Sequence, residues 1–190
     1  MTASPPATRT HHLAQLNVAT LRHPIDDPRI APFVEMLDPV NAAADGAPGF
    51  VWRLVEDGAA DATGLRPAGE DVIVNLSVWE TREALWDFAY RSGHLESMRR
   101  RREWFERHVQ AHLVLWWVPA GHLPTVAEAL ERLADLRTHG PTPRAFTFTS
   151  SHTADEAPDA APVHQAVSAA VPPDGFRRGD EFAGARRSIS

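Results

Sequence analysis

The chain contains 190 residues, of which 43% are hydrophobic, and its 19 basic and 25 acidic side chains give a formal net charge of −6. It has no Cys and no Lys, which excludes disulfides, thiolate metal ligands, Cys nucleophiles, Schiff-base lysines and phosphate-binding P-loops. A chain of this length can bury its own core, and its acidic balance argues against non-specific nucleic-acid binding, which needs a basic face.

The two ends of the chain are expected to lie outside the folded domain. Residues 1–10 are small, polar and Pro-rich, which is typical of a flexible leader, and they lack the pattern of a signal peptide. No run approaches the ~18 apolar residues of a membrane span, so we expect a cytoplasmic protein that does not contact membranes. Residues 151–190 are rich in Ala, Pro, Asp and Arg without periodicity, and this composition predicts a disordered tail or a partner-binding arm.

The sequence of the first half of the domain predicts three strands and one long helix. Alternating apolar residues from His12 onward predict the first strand. A helix is expected over about residues 31–44, and Pro39 inside it should kink it or split it. Residues 50–55 predict a second strand, and the regular alternation over residues 72–79 predicts a third.

The sequence of the second half of the domain predicts helical stretches that alternate with two strands. Thr81 is expected to cap a helix, and a second helical stretch is expected over about residues 94–108. Residues 113–118 predict a fourth strand. Thr125-x-x-Glu128 is a capping box that opens a further helix, and residues 145–149 predict a short last strand.

The element order β-α-β-β-α-β, with an extra C-terminal helix and strand, predicts a ferredoxin-like α+β domain over residues 11–150. An antiparallel sheet of this kind carries its helices on one face. We therefore expect a second copy of the chain to cover the other face, which predicts a homodimer.

Strand parity predicts which face of the sheet holds the functional side chains. In the first and third strands, one face is wholly aliphatic and should pack on the helices. The opposite face presents amides, a hydroxyl and an indole, which belong to Gln15, Asn17, Asn75, Ser77 and Trp79. Trp52 and Trp116 could join this face, although their strands do not fix parity. Apolar walls with a few polar groups describe a ligand cavity, and the alternative is a buried polar network that fixes the dimer or the strand register.

His94 is the strongest candidate for reactive chemistry. It follows Ser92-Gly93, where a helix restarts, and an imidazole there can carry a proton or bind a metal near neutral pH. A capping or surface histidine is the alternative.

Two further patterns carry charge. Arg101 and Arg102 flank the buried stripe of their helix. Either can therefore bind an anionic ligand group through its guanidinium fork. The alternative is that both belong to a solvated helix face.

His108-x-x-x-His112 has the spacing of a helical metal pair. Because it spans a helix-to-strand junction, we do not expect the two rings to share a face, and we expect no metal site.

Six stretches of the sequence resemble one bacterial family. They are QLNVA (15–19), GFVWR (49–53), NLSVWE (75–80), REWF (102–105), LWWVPAGH (115–122) and AFTF (145–148). Over residues 12–149 the chain resembles the family "domain of unknown function 3291", in the dimeric α+β barrel superfamily that includes antibiotic-biosynthesis monooxygenases. The resemblance implies the dimeric barrel, but no reaction is assigned to the family itself.

A more distant likeness concerns cofactors. Haem-degrading members of the superfamily use an Asn on the first strand, a Trp ending the third and a His on the following helix, and Asn17, Trp79 and His94 are similar in type and order. Haem is therefore the alternative cofactor, with His94 as axial ligand. Other members oxygenate aromatic polyketides in the same cavity with no cofactor.

The leading hypothesis is an enzyme of the antibiotic-biosynthesis monooxygenase type that acts on a hydrophobic aromatic substrate without a cofactor. Catalytic roles fall to Asn17, Trp79 and His94, since an amide can stabilise oxyanion charge, an indole can stack and an imidazole can move a proton. The predicted substrate contacts are Gln15, Trp52, Asn75, Ser77, Arg101, Arg102, Trp104 and Trp116. The alternatives are a haem protein, a module that only binds its ligand, and a dimer whose polar face is filled by partner side chains.

Overall fold

A computed structural model of the chain describes residues 10–91 and 100–157. Residues 100–104 are helical, and a 3₁₀ turn lies at Ala154–Glu156. The remaining elements in chain order are β1 (His11–Thr20), α1 (Ala31–Asp45), β2 (Phe50–Arg53), β3 (Val72–Trp79), α2 (Arg82–Arg91), β4 (Leu113–Pro119) and α3 (Val126–His139).

The strands form one antiparallel sheet in the order β2-β3-β1-β4. The ten-residue β1 pairs with β3 on one side and β4 on the other. Its register with β3 places Gln15 opposite Ser77 and Asn17 opposite Asn75. The α+β class and the order β-α-β-β-α-β are therefore confirmed.

The aliphatic face of the sheet packs on α3. Leu16 of β1 and Val78 of β3 are fully buried in one cluster with Leu133 and Leu136 of α3. Fully burying a side chain of this kind contributes about 1.5–3 kcal/mol. The predicted helix contact of this face is thus made by α3, the helix that follows β4.

The polar face is also covered by helices, and the prediction that helices occupy only one face is wrong. Leu13 and Trp79 cluster with Leu85 of α2, and Ile73 clusters with Trp104 and with Phe33 of α1. The alternation of residues along the strands separates the two faces of the sheet, but it does not predict which helix packs on which face. An open sheet face was the reason to expect a second copy, so the homodimer now depends on the family resemblance alone.

Helix α1 runs unbroken through Pro39, so the expected split does not occur. A proline inside a helix removes one N–H donor and crowds the preceding turn. The apolar side chains Phe33 and Met36, before the proline, pack against the cluster around Trp104, and Ala44, after it, is buried as well.

The predicted last strand is absent, and the helical stretch that precedes β4 ends earlier than expected. Instead of a strand over residues 145–149, Phe146 forms an isolated bridge to Leu115, with both backbone hydrogen bonds at 2.8 Å. Helical geometry ends at residue 104, because Phe105 already pairs with Leu21 in a second bridge. The expected start of that stretch at residue 94 lies outside the described residues.

Helix α3 keeps only half of the predicted capping box. The Thr125 hydroxyl accepts the backbone N–H of Glu128 at 3.1 Å. The Glu128 carboxylate instead accepts Trp116 Nε1–H at 3.1 Å and contacts His122 Nε2 at 2.8 Å. It therefore ties β4 and the following loop to the helix.

The folded part continues beyond residue 150. Trp117 of β4 donates its indole N–H to the carbonyl of His152 at 2.8 Å, which holds this residue against β4. No helix in residues 10–91 and 100–157 is long and apolar enough to cross a bilayer.

Candidate ligand-binding cavity

A cavity of about 240 Å³ lies between the polar face of the sheet and the helices that cover it. The sheet supplies its floor, whereas α1, α2 and the segment around residue 104 supply its walls. Its lining includes Gln15, Asn17, Trp79, Phe33, Phe88 and Trp104. The sequence correctly separated these polar strand positions from the aliphatic ones, but it placed them on an uncovered face.

Three floor residues form a buried hydrogen-bonded chain. Trp79 Nε1–H donates to Ser77 Oγ at 3.0 Å, and Ser77 Oγ–H donates to Gln15 Oε1 at 2.9 Å. The Ser77 hydroxyl therefore donates its hydrogen to another residue of the protein and not to a ligand. The chain fixes the indole of Trp79, so Gln15 and Ser77 act here as the buried polar network that was the alternative interpretation.

Asn17 differs from these residues because its side-chain acceptor is unused. The Asn17 Oδ1 atom is buried and finds no hydrogen-bond donor among the described residues, although Asn17 lines the cavity. Leaving a buried acceptor unpaired costs about 1–3 kcal/mol. Asn75, directly opposite on β3, is exposed and also lines the cavity.

Aromatic rings surround Trp79. Its indole stacks on Phe88 of α2 at a centroid distance of 5.1 Å and meets the edge of Phe50 at 5.2 Å. Trp104 is buried in the same cavity and lies 5.8 Å from the ring of Phe33. A set of flat, rigid walls of this kind suits a planar apolar guest.

Two tryptophans predicted for the cavity lie elsewhere. Trp52 and Trp116 both pack in the aliphatic cluster on the α3 side of the sheet. A register shift between Phe50 and Trp52 puts these two residues on opposite faces of the sheet, and Phe50 rather than Trp52 lines the cavity. Phe33 and Phe88 were missed because their helices were not expected on this face.

Only one of the two arginines predicted to contact a ligand lines the cavity. Arg101 lines the cavity, whereas Arg102 is exposed and does not. Arg101 Nη2 lies 3.4 Å from His112 Nε2. The guanidinium therefore lies between the cavity and the imidazole of His112.

His108 and His112 stack on each other, with ring centroids 5.2 Å apart and an interplanar angle of 17°. The expectation that these rings do not share a face is wrong, because the chain between them turns back and brings both rings beside Arg101. Burial, and then the charge of Arg101, lowers the pKa of each imidazole below its usual 6.5. Both rings are therefore predominantly neutral at pH 7.

The predicted proton carrier, His94, lies outside the described residues. Within residues 10–91 and 100–157, no three His, Asp or Glu side chains form a cluster that could hold a metal ion. The described residues therefore identify the candidate cavity but not its proton carrier.

The fold and site define an α+β protein with an aromatic-walled cavity on the polar face of an antiparallel sheet. A family model described as "Domain of unknown function (DUF3291)" matches residues 12–162, and the chain belongs to that family. This confirms the family that the sequence motifs resemble. No curated protein sequence matches the chain significantly.

Two solved structures share part of the architecture. SnoaB, a cofactor-independent oxygenase from Streptomyces nogalater, is 15% identical with a TM-score of 0.39, over 62% of this chain and 98% of that one. NE2512, a protein of unknown function from Nitrosomonas europaea, is 11% identical with a TM-score of 0.40, over 61% of this chain and 97% of that one. Likenesses of this degree carry no functional argument, so the function is argued from the cavity.

Proposed function

We propose that the protein binds a hydrophobic aromatic molecule in this cavity and oxygenates it in the manner of the antibiotic-biosynthesis monooxygenases that its family resembles. The observation that carries the proposal is the buried Asn17 Oδ1, which lies in an aromatic-walled cavity and has no donor in the part of the chain that the structure describes. A buried acceptor is normally paired, so a ligand hydroxyl or N–H is its natural partner.

The reaction suited to such a site needs only the substrate and dioxygen. A phenol with hydrogen at its para carbon gains one oxygen atom there as a carbonyl, while the second oxygen atom leaves as water with the phenolic and para hydrogens. The product is a quinone, and dioxygen takes up all four electrons. Asn17 Oδ1 would hold the phenolic O–H, and the walls around Trp79 and Trp104 would stack on the rings.

His94 remains the proposed proton carrier on sequence grounds alone. The dimeric barrel remains a proposal as well, since both sheet faces are covered within one chain over the described residues. Light scattering of the purified protein would test the dimer independently of the chemistry.

Binding and turnover test the proposal in two steps. Calorimetry with 1-naphthol should show one site per chain, with weaker binding after Trp79→Phe or Trp104→Phe. The matched control is Trp52→Phe, which changes an indole on the opposite side of the sheet and should leave the affinity unchanged. Equal losses in all three variants would contradict binding in this cavity.

Oxygen uptake with anthrone or 1-naphthol then separates catalysis from binding. Uptake of one dioxygen per quinone formed supports the oxygenase. Binding without uptake, together with one unaltered metabolite retained in native mass spectrometry, would leave a binding module instead.

Haem is the alternative occupant. Titration with haemin should produce no Soret shift if the cavity takes an organic substrate directly. A saturable shift that disappears in His94→Ala would replace the oxygenase proposal with a haem protein.

A further inference from the structure

The cavity contains a cation, Arg101, that has no carboxylate partner among the described residues. Two arginines line it over the described residues, and Arg53 is bound to Asp45 by two hydrogen bonds of 2.8 and 3.2 Å. The Arg101 guanidinium contacts only the imidazole of His112 within that part of the chain. Burying part of a guanidinium without an anion is costly, so a counter-ion is missing.

The charged side chains that act on the two imidazoles beside Arg101 are two arginines and one carboxylate. Arg101 and Arg137 both lower the pKa of His108 and His112, and only Glu106 acts on His108 in the opposite direction. The carboxylate that lines the cavity, Asp61, accepts the Thr63 N–H at 2.7 Å in the loop after β2. In the sheet order, β3 and β1 lie between β2 and the β4 edge near His112, so Asp61 belongs to the other end of the cavity.

Asn17 lies at the same end of the cavity as Arg101. It pairs with Leu113 at the start of β4, and the next residue, Val18, donates its backbone N–H to the carbonyl of His112 at 2.8 Å. His112 in turn contacts Arg101. Within residues 10–91 and 100–157, this end of the cavity therefore offers an amide acceptor without a donor and a guanidinium without a carboxylate.

We propose that the ligand is a hydroxylated aromatic carboxylate, with its carboxylate bound by Arg101 and its hydroxyl donated to Asn17. This inference rests on the proposed function, because it names the substrate class of the same cavity. The guanidinium fork matches a carboxylate with two parallel N–H···O bonds. The carboxylate also supplies the anion that the site lacks.

The test compares a charged and a neutral probe of nearly the same shape, 5-hydroxy-2-naphthoate and its amide. The acid should bind the wild-type protein more tightly than the amide, by about 10- to 100-fold for a charge-assisted pair. Arg101→Gln should abolish that preference while the amide still binds. Arg107→Gln is the matched control, since Arg107 is an exposed cation nearby that does not line the cavity.

Arg101→Lys and a salt titration keep the test decisive if Arg101→Gln does not fold. Lysine keeps the charge but not the fork, so the preference for the acid should fall without disappearing, and the wild-type preference should shrink as salt rises. Equal affinity of the acid and the amide in the wild type would overturn the anion proposal while the cavity proposal survives. Failure of both probes to bind would overturn both.

Discussion

Replacement of Asn17 by Leu should stabilise the ligand-free protein and weaken ligand binding. Leu is similar in size to Asn but carries no polar atoms, so the variant removes the buried Oδ1 that has no donor among the described residues. Relief of an unpaired buried acceptor is worth about 1 kcal/mol at the lower end of the usual range. For a domain of this size, that gain raises Tm by about 2–4 °C.

Differential scanning calorimetry of the ligand-free protein measures the shift, and calorimetry with 1-naphthol measures the loss of binding. The matched control is Asn75→Leu, at the opposite register position, where the exposed side chain should leave the free energy of unfolding within about 0.5 kcal/mol. A stabilised variant that no longer binds is the trade-off expected of a binding site. If Asn17→Leu destabilises the protein by more than about 1 kcal/mol, Oδ1 has a partner and the reasoning fails.

Three further outcomes are expected. Ser77→Ala should lower the free energy of unfolding by about 1–3 kcal/mol, because it leaves the buried Trp79 indole N–H without its acceptor, and an unchanged urea midpoint would refute the hydrogen-bonded chain. Leu133→Ala should cost about 2–5 kcal/mol, since Leu133 is 2% exposed in the aliphatic cluster, and a loss under about 1 kcal/mol would contradict that packing. Stability should fall as pH drops below about 6.5, because the lowered pKa values of His108 and His112 mean that the unfolded chain takes up protons first. A double Asn variant of these histidines should flatten that pH dependence, and identical slopes in both proteins would show that the stacked pair is not its source.

Strand parity was the part of the site most readily predicted from sequence. From Val74 to Trp79, β3 alternates between aliphatic and other residues, and its register with β1 brings Ser77 opposite Gln15, as a period of two requires. The face that each helix covers could not be predicted in this way. α1, α2 and α3 each have an apolar side. A pattern within one helix does not show which face of the sheet that helix packs on, so the sequence could not identify α3 as the partner of the aliphatic face.

Two strands gave no parity signal at all. β2 has four residues and a register shift between Phe50 and Trp52, so alternation could not place its indole. β4 reads LVLWWVP, an almost continuous apolar run that is buried on both sides, and Trp116 could have faced either way. The stacking of His108 and His112 depends on how the chain turns between them, which spacing alone does not determine.

The most direct test of the cavity is the response of the indole N–H signals when 1-naphthol is added to 15N-labelled protein. The six tryptophans of the chain give resolvable signals that single Trp→Phe variants assign. Trp79 and Trp104 should shift with saturation, while Trp52 and Trp116, on the α3 side of the sheet, should stay in place. Shifts confined to Trp52 and Trp116, or none at saturating naphthol, would contradict a guest site on the polar face.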